Sequence, residues 1–484
     1  MRILSVFASS VLILALAGSG CVPNKKQDAT LDTHLAAGSF QHAAELLEKD
    51  AQKDDILANL HYASALRCCG ETTKCAAAFD KAEALYKAAE EDKLTHDAAK
   101  TASAALVNES ITPYTGKQYE FCLVNAYKGM AFMRDGNRDL ARVELNRALD
   151  RQRRAKEFFA AELEREKAKA KNENKQQPAP DAASPQMDDA IAKSYGNMKE
   201  FKVYADYTNP FVTYLAGLYF LLDKDYSKSV DLLKEAAAMV PGNAVLAEDL
   251  ALAHAASGSI APAAAQPTPK AKPTSTKKDA KKQAEKPPVT PAVQHRAWVI
   301  FENGAGPGLS SLTIPVPLIL ATQAIPYTQI DLPKVQPGAP ALDCLQVTAG
   351  TQTASTLPIT DLTAVAETEF NARFQATLLR AMVSATTKAV MQAAGNKVGG
   401  ELGKWAGTLY TAAVSGADTR HWKSLPARYE VARIDLDNTD GNITVGSARA
   451  PLGSVKVDTA RNHLVVVSLR TASAQPFIET IAFD

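Results

Sequence analysis

The sequence predicts a multidomain chain: an N-terminal all-α half built from helical repeats, a disordered linker, and a C-terminal α+β domain. Three observations predict it. Residues 27–258 are rich in Ala, Leu, Glu and Lys with almost no β-branched runs, a helical composition. Residues 257–294 mix Pro, Ala and Lys with few larger apolar side chains to bury, the signature of an extended, disordered segment. Residues 295–484 alternate β-branched strand-like runs with a helical stretch. The expected boundaries are a signal segment at 1–20, an anchor and tether at 21–30, the helical domain at 31–256, the linker at 257–294 and the α+β domain at 295–484.

At the N-terminus, Arg2 is the only charge in the first twenty residues, and a run from Ile3 to Ala17 is apolar apart from three serines. A charged start, a short apolar core and small residues make a secretory signal. The run is too short to span a bilayer comfortably, which takes about 20 residues. Gly18-Ser19-Gly20-Cys21 resembles the lipobox of bacterial lipoproteins, although Gly18 stands where Leu is usual. The resemblance implies cleavage before Cys21, acylation of its thiol (palmitate among the chains) and a stable anchor. Val22 in place of Asp implies the inner leaflet of the outer membrane, facing the periplasm. Removing residues 1–20 takes the formal net charge from +1 to 0, which argues against general nucleic-acid binding.

In the helical half, two segments align in register, YKGMAFMRDGNRDLARVELNRAL from Tyr127 and LAGLYFLLDKDYSKSVDLLKEAAAMVP from Leu215. Gly129 matches Gly217, Phe132 matches Phe220, Ala141 matches Ser229, Leu145 matches Leu233, Ala148 matches Ala236, and Pro241 closes the second copy. The spacing resembles the tetratricopeptide repeat. A small residue in the first helix admits the second closely, an aromatic fills the groove beside it, and a proline stops the second helix. Weaker copies fall at Ala36–Leu47, with Gly38 and Phe40 at the turn, and at Leu60–Tyr86 around Gly70. A long helix over Leu140–Lys171 carries charges of alternating sign, a solvated face, and residues 172–187 read as an internal loop.

Of the six cysteines, Cys68, Cys69 and Cys75 surround one turn. The periplasm permits disulfides. A Cys69–Cys75 staple is one expectation, and three small buried thiols are the alternative. No His or second Cys pair sits nearby at zinc spacing, so no metal site is expected.

In the C-terminal half, RAWVIFEN, LTIPVPLIL, YEVARIDL, SVKVD and HLVVVSLR read as strands, with helices over roughly 363–416. Gly304, Gly306 and Gly308 follow a strand, but the next segment is another strand, so they make a tight β-connection and not a phosphate loop. Gly395, Gly399, Gly403 and Gly407 recur every four residues, giving a smooth helix face for close packing on the domain itself or on a partner. Asp418, Arg420, His421 and Trp422 cluster in one turn. The structural reading makes Asp418 a turn residue and Trp422 a buried anchor. The chemical reading makes His421 a base oriented by Asp418, as a hydrolase acting on cell-wall material would need. The chain contains no HExxH, GxSxG, Walker or EF-hand pattern, and no cofactor is expected.

Val299–Gly304 (VIFENG) and Asp418–Pro426 (DTRHWKSLP), with the helical half before them, resemble an uncharacterised family of Gram-negative lipoproteins that join tetratricopeptide-like helices to an α+β domain. The resemblance brings no activity with it. The expected function is a non-catalytic interaction scaffold on the outer membrane that binds envelope proteins through the groove of its helical repeats. A lipid or polysaccharide carrier is a further alternative. The linker, with seven lysines against two acids between Lys270 and Lys286, could touch anionic peptidoglycan-associated polymers. Its small apolar content also predicts that the two halves fold independently.

Overall fold

In the computed structural model, residues 25–95, 114–174, 208–258, 295–317, 327–374, 376–378 and 417–483 are described. The statements below concern these residues. The glycine face at 395–407, Cys21 and linker residues 259–294 lie outside them.

One turn, used four times, organises the helical half. It joins α1 (Lys25–Ala37) to α2 (Phe40–Ala51), α3 (Ile56–Cys68) to α4 (Thr72–Thr95), α5 (Gln118–Arg134) to α6 (Arg138–Asn174), and α7 (Pro210–Leu222) to α8 (Tyr226–Met239). In each case one residue adopts a left-handed conformation: Gly38, Gly70, Gly136 and Lys224, with φ of 72°, 79°, 72° and 64°. The next residue's N–H then reaches back to a helix carbonyl: Ser39 to His34, Glu71 to Leu66, Asn137 to Phe132, Asp225 to Phe220, all at 2.8–3.0 Å. This C-terminal motif satisfies carbonyls that the helix end would leave open. A last helix, α9 (Ala244–Ser257), ends at left-handed Gly258. Helix begins at Lys25, inside the segment expected as a tether.

The second half contains three sheets. The largest has the order β11-β10-β1-β7-β6, built from β1 (Arg296–Asn303), β6 (Leu357–Asp361), β7 (Arg428–Asp435), β10 (Asn462–Leu469) and β11 (Phe477–Phe483). β1 runs parallel to β10 and antiparallel to β7. A four-stranded antiparallel sheet joins β4 (Gln346–Ala349), β5 (Gln352–Ser355), β8 (Asn442–Gly446) and β9 (Pro451–Lys456). β2 (Gly308–Pro317) and β3 (Tyr327–Gln336) pair only with each other. Residues 362–374 are helical.

The molecule is layered: helices, the five-stranded sheet, then the four-stranded sheet. Because side chains alternate along a strand, each face of the large sheet feeds a different core. Ala297, Val299, Phe301, Ala432, Val465 and Val467 pack with Val347, Ile443 and Val445 of the small sheet. Trp298, Ile300, Tyr429, Val431, Leu464 and Val466 pack with Leu60, Phe79, Tyr127, Leu215 and Phe220 of the helices. The expectation of two independently folding halves meets a shared hydrophobic core, to which both contribute. One face of the five-stranded sheet packs against the N-terminal helices, and residues of both halves share a single hydrophobic core.

Candidate functional site

Gly129 and Gly217 each face the second helix of their own hairpin. A Cβ on Gly129 would lie 3.2 Å from Leu145 Cγ, and one on Gly217 would lie 2.9 Å from Leu233 Cγ. Ala141, Leu145, Ala148, Leu233 and Ala236 are fully buried. Ser229, the counterpart of Ala141, donates its hydroxyl to the Gly217 carbonyl at 2.8 Å. Phe132 and Phe220 supply the carbonyls that close their turns. The Phe220 ring also lies under Lys228 Nζ and Arg142 Cζ, at 4.2 and 5.0 Å. Pro241 stands just beyond α8 and Val240, its C-cap.

The hairpin face assembled by these contacts is occupied by the chain itself. The turn at 417–427 inserts Trp422 between Phe79 and Tyr127, edge-on to both at 5.8 Å between ring centres. Trp422 Nε1 donates to Ser64 Oγ at 2.8 Å, and its backbone N–H donates to Glu120 at 3.1 Å. Tyr114 OH and the Lys117 N–H also donate to the Glu120 carboxylate, which burial raises above its usual pKa. The Lys423 N–H donates to His61 Nε2 at 2.9 Å, while Lys423 Nζ reaches Asp32 at 3.0 Å and Asp28 at 3.8 Å. Arg470 holds the turn from the other side through the Lys423 and Leu425 carbonyls.

Asp418 and His421 do not form a base and its orienter. Asp418 clasps Arg420 through Nε at 2.8 Å and through its second nitrogen at 2.9 Å. His421 Nδ1 instead meets the Thr419 carbonyl at 3.0 Å, and its ring lies against Gly308 at the start of β2. Burial lowers the His421 pKa. The geometry supports the structural reading of this turn: Trp422 is its anchor.

Sequence reasoning missed a second set of polar residues. Arg67 on α3 pairs with Glu302 on β1 at 2.5 Å and with Glu479 on β11 at 3.7 Å, all three almost wholly buried. Arg134 joins Glu479 at 3.2 Å. Arg67 also lies over the Tyr127 ring at 4.3 Å. Burial is the largest single influence and opposes the Arg67 charge, but Glu302 and the neighbours beside it, Glu479 among them, together outweigh it and hold the guanidinium above its usual range. Asp249 on α9 accepts from Tyr214, Trp298 and Arg433. Glu369 caps α5, accepting from the Gln118 and Tyr119 N–H groups at 3.0 and 2.9 Å. Each of these groups bridges the two halves, so they are joints. The available signal was a charge inside an apolar strand or helix: Glu302 ending AWVIFEN, and Asp249 within α9.

Cys69 and Cys75 are free thiols, as are Cys68, Cys122 and Cys344, so the expected staple is corrected to the alternative of separate thiols. Cys75 is fully buried in the hydrophobic core with Phe79, whereas Cys69 is the half-exposed cap of α3. Burial pushes the Cys75 and Cys122 thiols up to about 12. Among the described residues no three His, Cys, Asp or Glu side chains gather as a metal site, and no helix is long and apolar enough to cross a membrane. A cavity bordered by Cys122, Gln152, Asn209 and Glu369 offers about 10 Å³, the room of at most one water. Comparison with protein-family models, with curated proteins and with solved structures finds no match.

Proposed function

We propose that the chain is an outer-membrane-anchored periplasmic lipoprotein acting as a non-catalytic protein-interaction scaffold in the cell envelope. The observation that carries this reading is the reuse of one helical hairpin, with Gly129 against Leu145 and Gly217 against Leu233. We read this packing as tetratricopeptide-like, and the general use of such repeats is to present a surface to other proteins. One part of the expectation changes. The inner hairpin face is filled by Trp422 and the large sheet, so an envelope partner must use the outward side of the helices. Leu140 and Val143, one turn apart on α6 and each 41% exposed, are the large apolar residues available there among the described residues. The reading keeps Cys21 as the lipid attachment site.

Crosslinking in intact envelopes tests the scaffold. The wild-type chain should capture a defined protein set, and a Leu140→Glu/Val143→Glu variant should lose it while keeping its thermal unfolding temperature. An unchanged set overturns the assignment of the outward face. For the anchor, Cys21→Ala should abolish palmitate labelling, and labelling that survives overturns the lipoprotein reading.

A further inference from the structure

We propose that the seat of the 417–427 turn is an acid-labile joint in which neutral His61 is the proton-sensitive element. His61 lies on α3 and is 4% exposed. Its Nε2 accepts the Lys423 N–H at 2.9 Å, which requires that nitrogen to carry no proton. The charged and titratable groups around it come from every element packed on the seat. The turn contributes Lys423 and His421, and the segment after β10 contributes Arg470. α1 contributes Asp28 and Asp32, both on Lys423 Nζ. α5 contributes Glu120, on the Trp422 N–H. The cations Lys423 and Arg470 therefore act on the imidazole, with the His421 ring beside them, while the acids are engaged elsewhere. A proton on Nε2 would remove the hydrogen bond and add a positive charge beside Lys423, His421 and Arg470.

The direction agrees with the burial of the ring, which together with those cations takes the His61 pKa from 6.5 to about 3. The sign follows from linkage. The seated turn holds His61 neutral, whereas an unseated His61 binds a proton at its ordinary pKa of about 6.5. Seating is thus fully favoured above about pH 6.5 and weakens as pH falls towards 3, by about tenfold per pH unit. Glu120 works in the opposite sense, because its raised pKa favours the seated form as pH falls. His421, whose pKa burial also lowers, acts in the same sense as His61, so only removal of His61 itself isolates its share.

The test uses the full chain in detergent, labelled with 5-fluorotryptophan. The Trp422 ¹⁹F resonance is assigned by Trp422→Phe and followed from pH 7.5 to pH 4. In the wild type the His61 proton alone should raise the unseated population about 50-fold between pH 6.5 and 4.5 relative to the seated one. His61→Gln, which keeps an acceptor near Nε2 but does not titrate, should lose the His61 share of that dependence and keep only what His421 and Glu120 contribute. His34→Gln, at a half-exposed histidine of α1, should leave it unchanged. Direct NMR titration of the wild-type His61 ring guards against a His61→Gln chain that does not fold. A His61 ring that titrates near 6.5 with Trp422 still seated overturns the proposal, as does an equal pH dependence in His61→Gln.

Discussion

The hydroxyls of Tyr127 and Tyr429 meet at 2.7 Å across 302 residues of sequence, in the buried space between α5 and β7. Arg67 lies over one ring, and Phe211 stacks on the other at 3.8 Å and 4° between planes. A helix of the first half and a strand of the second thus share one polar contact inside a continuous apolar layer. The consequences are measurable.

Cutting the linker should not separate the halves. Trypsin is expected to cleave between Lys270 and Lys286, and the two fragments should then co-elute in size-exclusion chromatography and unfold together. Residues 295–484 expressed alone would expose Trp298, Ile300, Tyr429, Val431, Leu464 and Val466 to water. They should be insoluble or lack a cooperative thermal transition. Independent elution of two folded fragments would contradict the shared core.

Removing one partner of the buried charge cluster should be costly. Glu302→Gln leaves Arg67 without its closest counter-charge in a dry site, and about 3–5 kcal/mol of stability should be lost in urea titration. Replacing Arg67, Glu302 and Glu479 together by apolar residues of similar volume should recover most of it. A single-variant loss below about 1 kcal/mol would mean that water reaches the cluster.

The hairpin contacts invite a paired substitution. Gly217→Ala places a methyl 2.9 Å from Leu233 Cγ and should cost about 1–3 kcal/mol. Leu233→Val beside it should restore part of that loss. At the turn of the same hairpin, Lys224 holds φ of 64°, where its three counterparts are glycine. Lys224→Gly should stabilise by about 0.5–1 kcal/mol, the relief of left-handed strain less the entropy of a freer unfolded chain. A destabilised Lys224→Gly chain would show that the lysine side chain matters more than its backbone.

Thiol mapping checks the cysteines. Alkylation of the denatured, unreduced protein should modify Cys68, Cys69, Cys75, Cys122 and Cys344. Under native conditions Cys68, Cys75 and Cys122 should react slowest, since burial raises the thiol pKa of all three. A peptide joining Cys69 to Cys75 would restore the staple.

Much of the helical half was legible because its signals are local. Gly129 with Leu145 and Gly217 with Leu233 share one spacing, and Gly38, Gly70 and Gly136 mark turns whose left-handed residue favours glycine. The union of the halves was legible too, but in a different signal. AWVIF and HLVVV do not alternate apolar with polar, and such uninterrupted runs belong to strands buried on both faces. PFVTYLAGLYFLL is apolar all round and is buried at every residue, which a helix exposed on one side would not be. The linker's composition says nothing about whether the domains it joins touch. The short strands β4, β5, β6 and β8 escaped because QVTA, QTAS, LPITD and NITVG are brief and polar enough to pass for loops. Glu302 stood out as a charge in an apolar strand, but its pairing with Arg67 and Glu479 was not legible, because these residues are brought together only by the sheet register and by the docking of α3.

The ends of the chain are also tied together: Thr471 donates to the Ala36 carbonyl at 3.0 Å over a separation of 435 residues, and Gln475 reaches Ala37. Loops of that length close late in folding. A chain delivered N-terminus first completes its opening hairpins long before the strands that cover them exist. In the interval Leu60, Phe79 and Tyr127 form an apolar surface with no lid. Such an intermediate is prone to aggregate, so biogenesis should depend on a holding chaperone, and a message truncated before β10 should yield a product cleared by proteolysis instead of a smaller working protein.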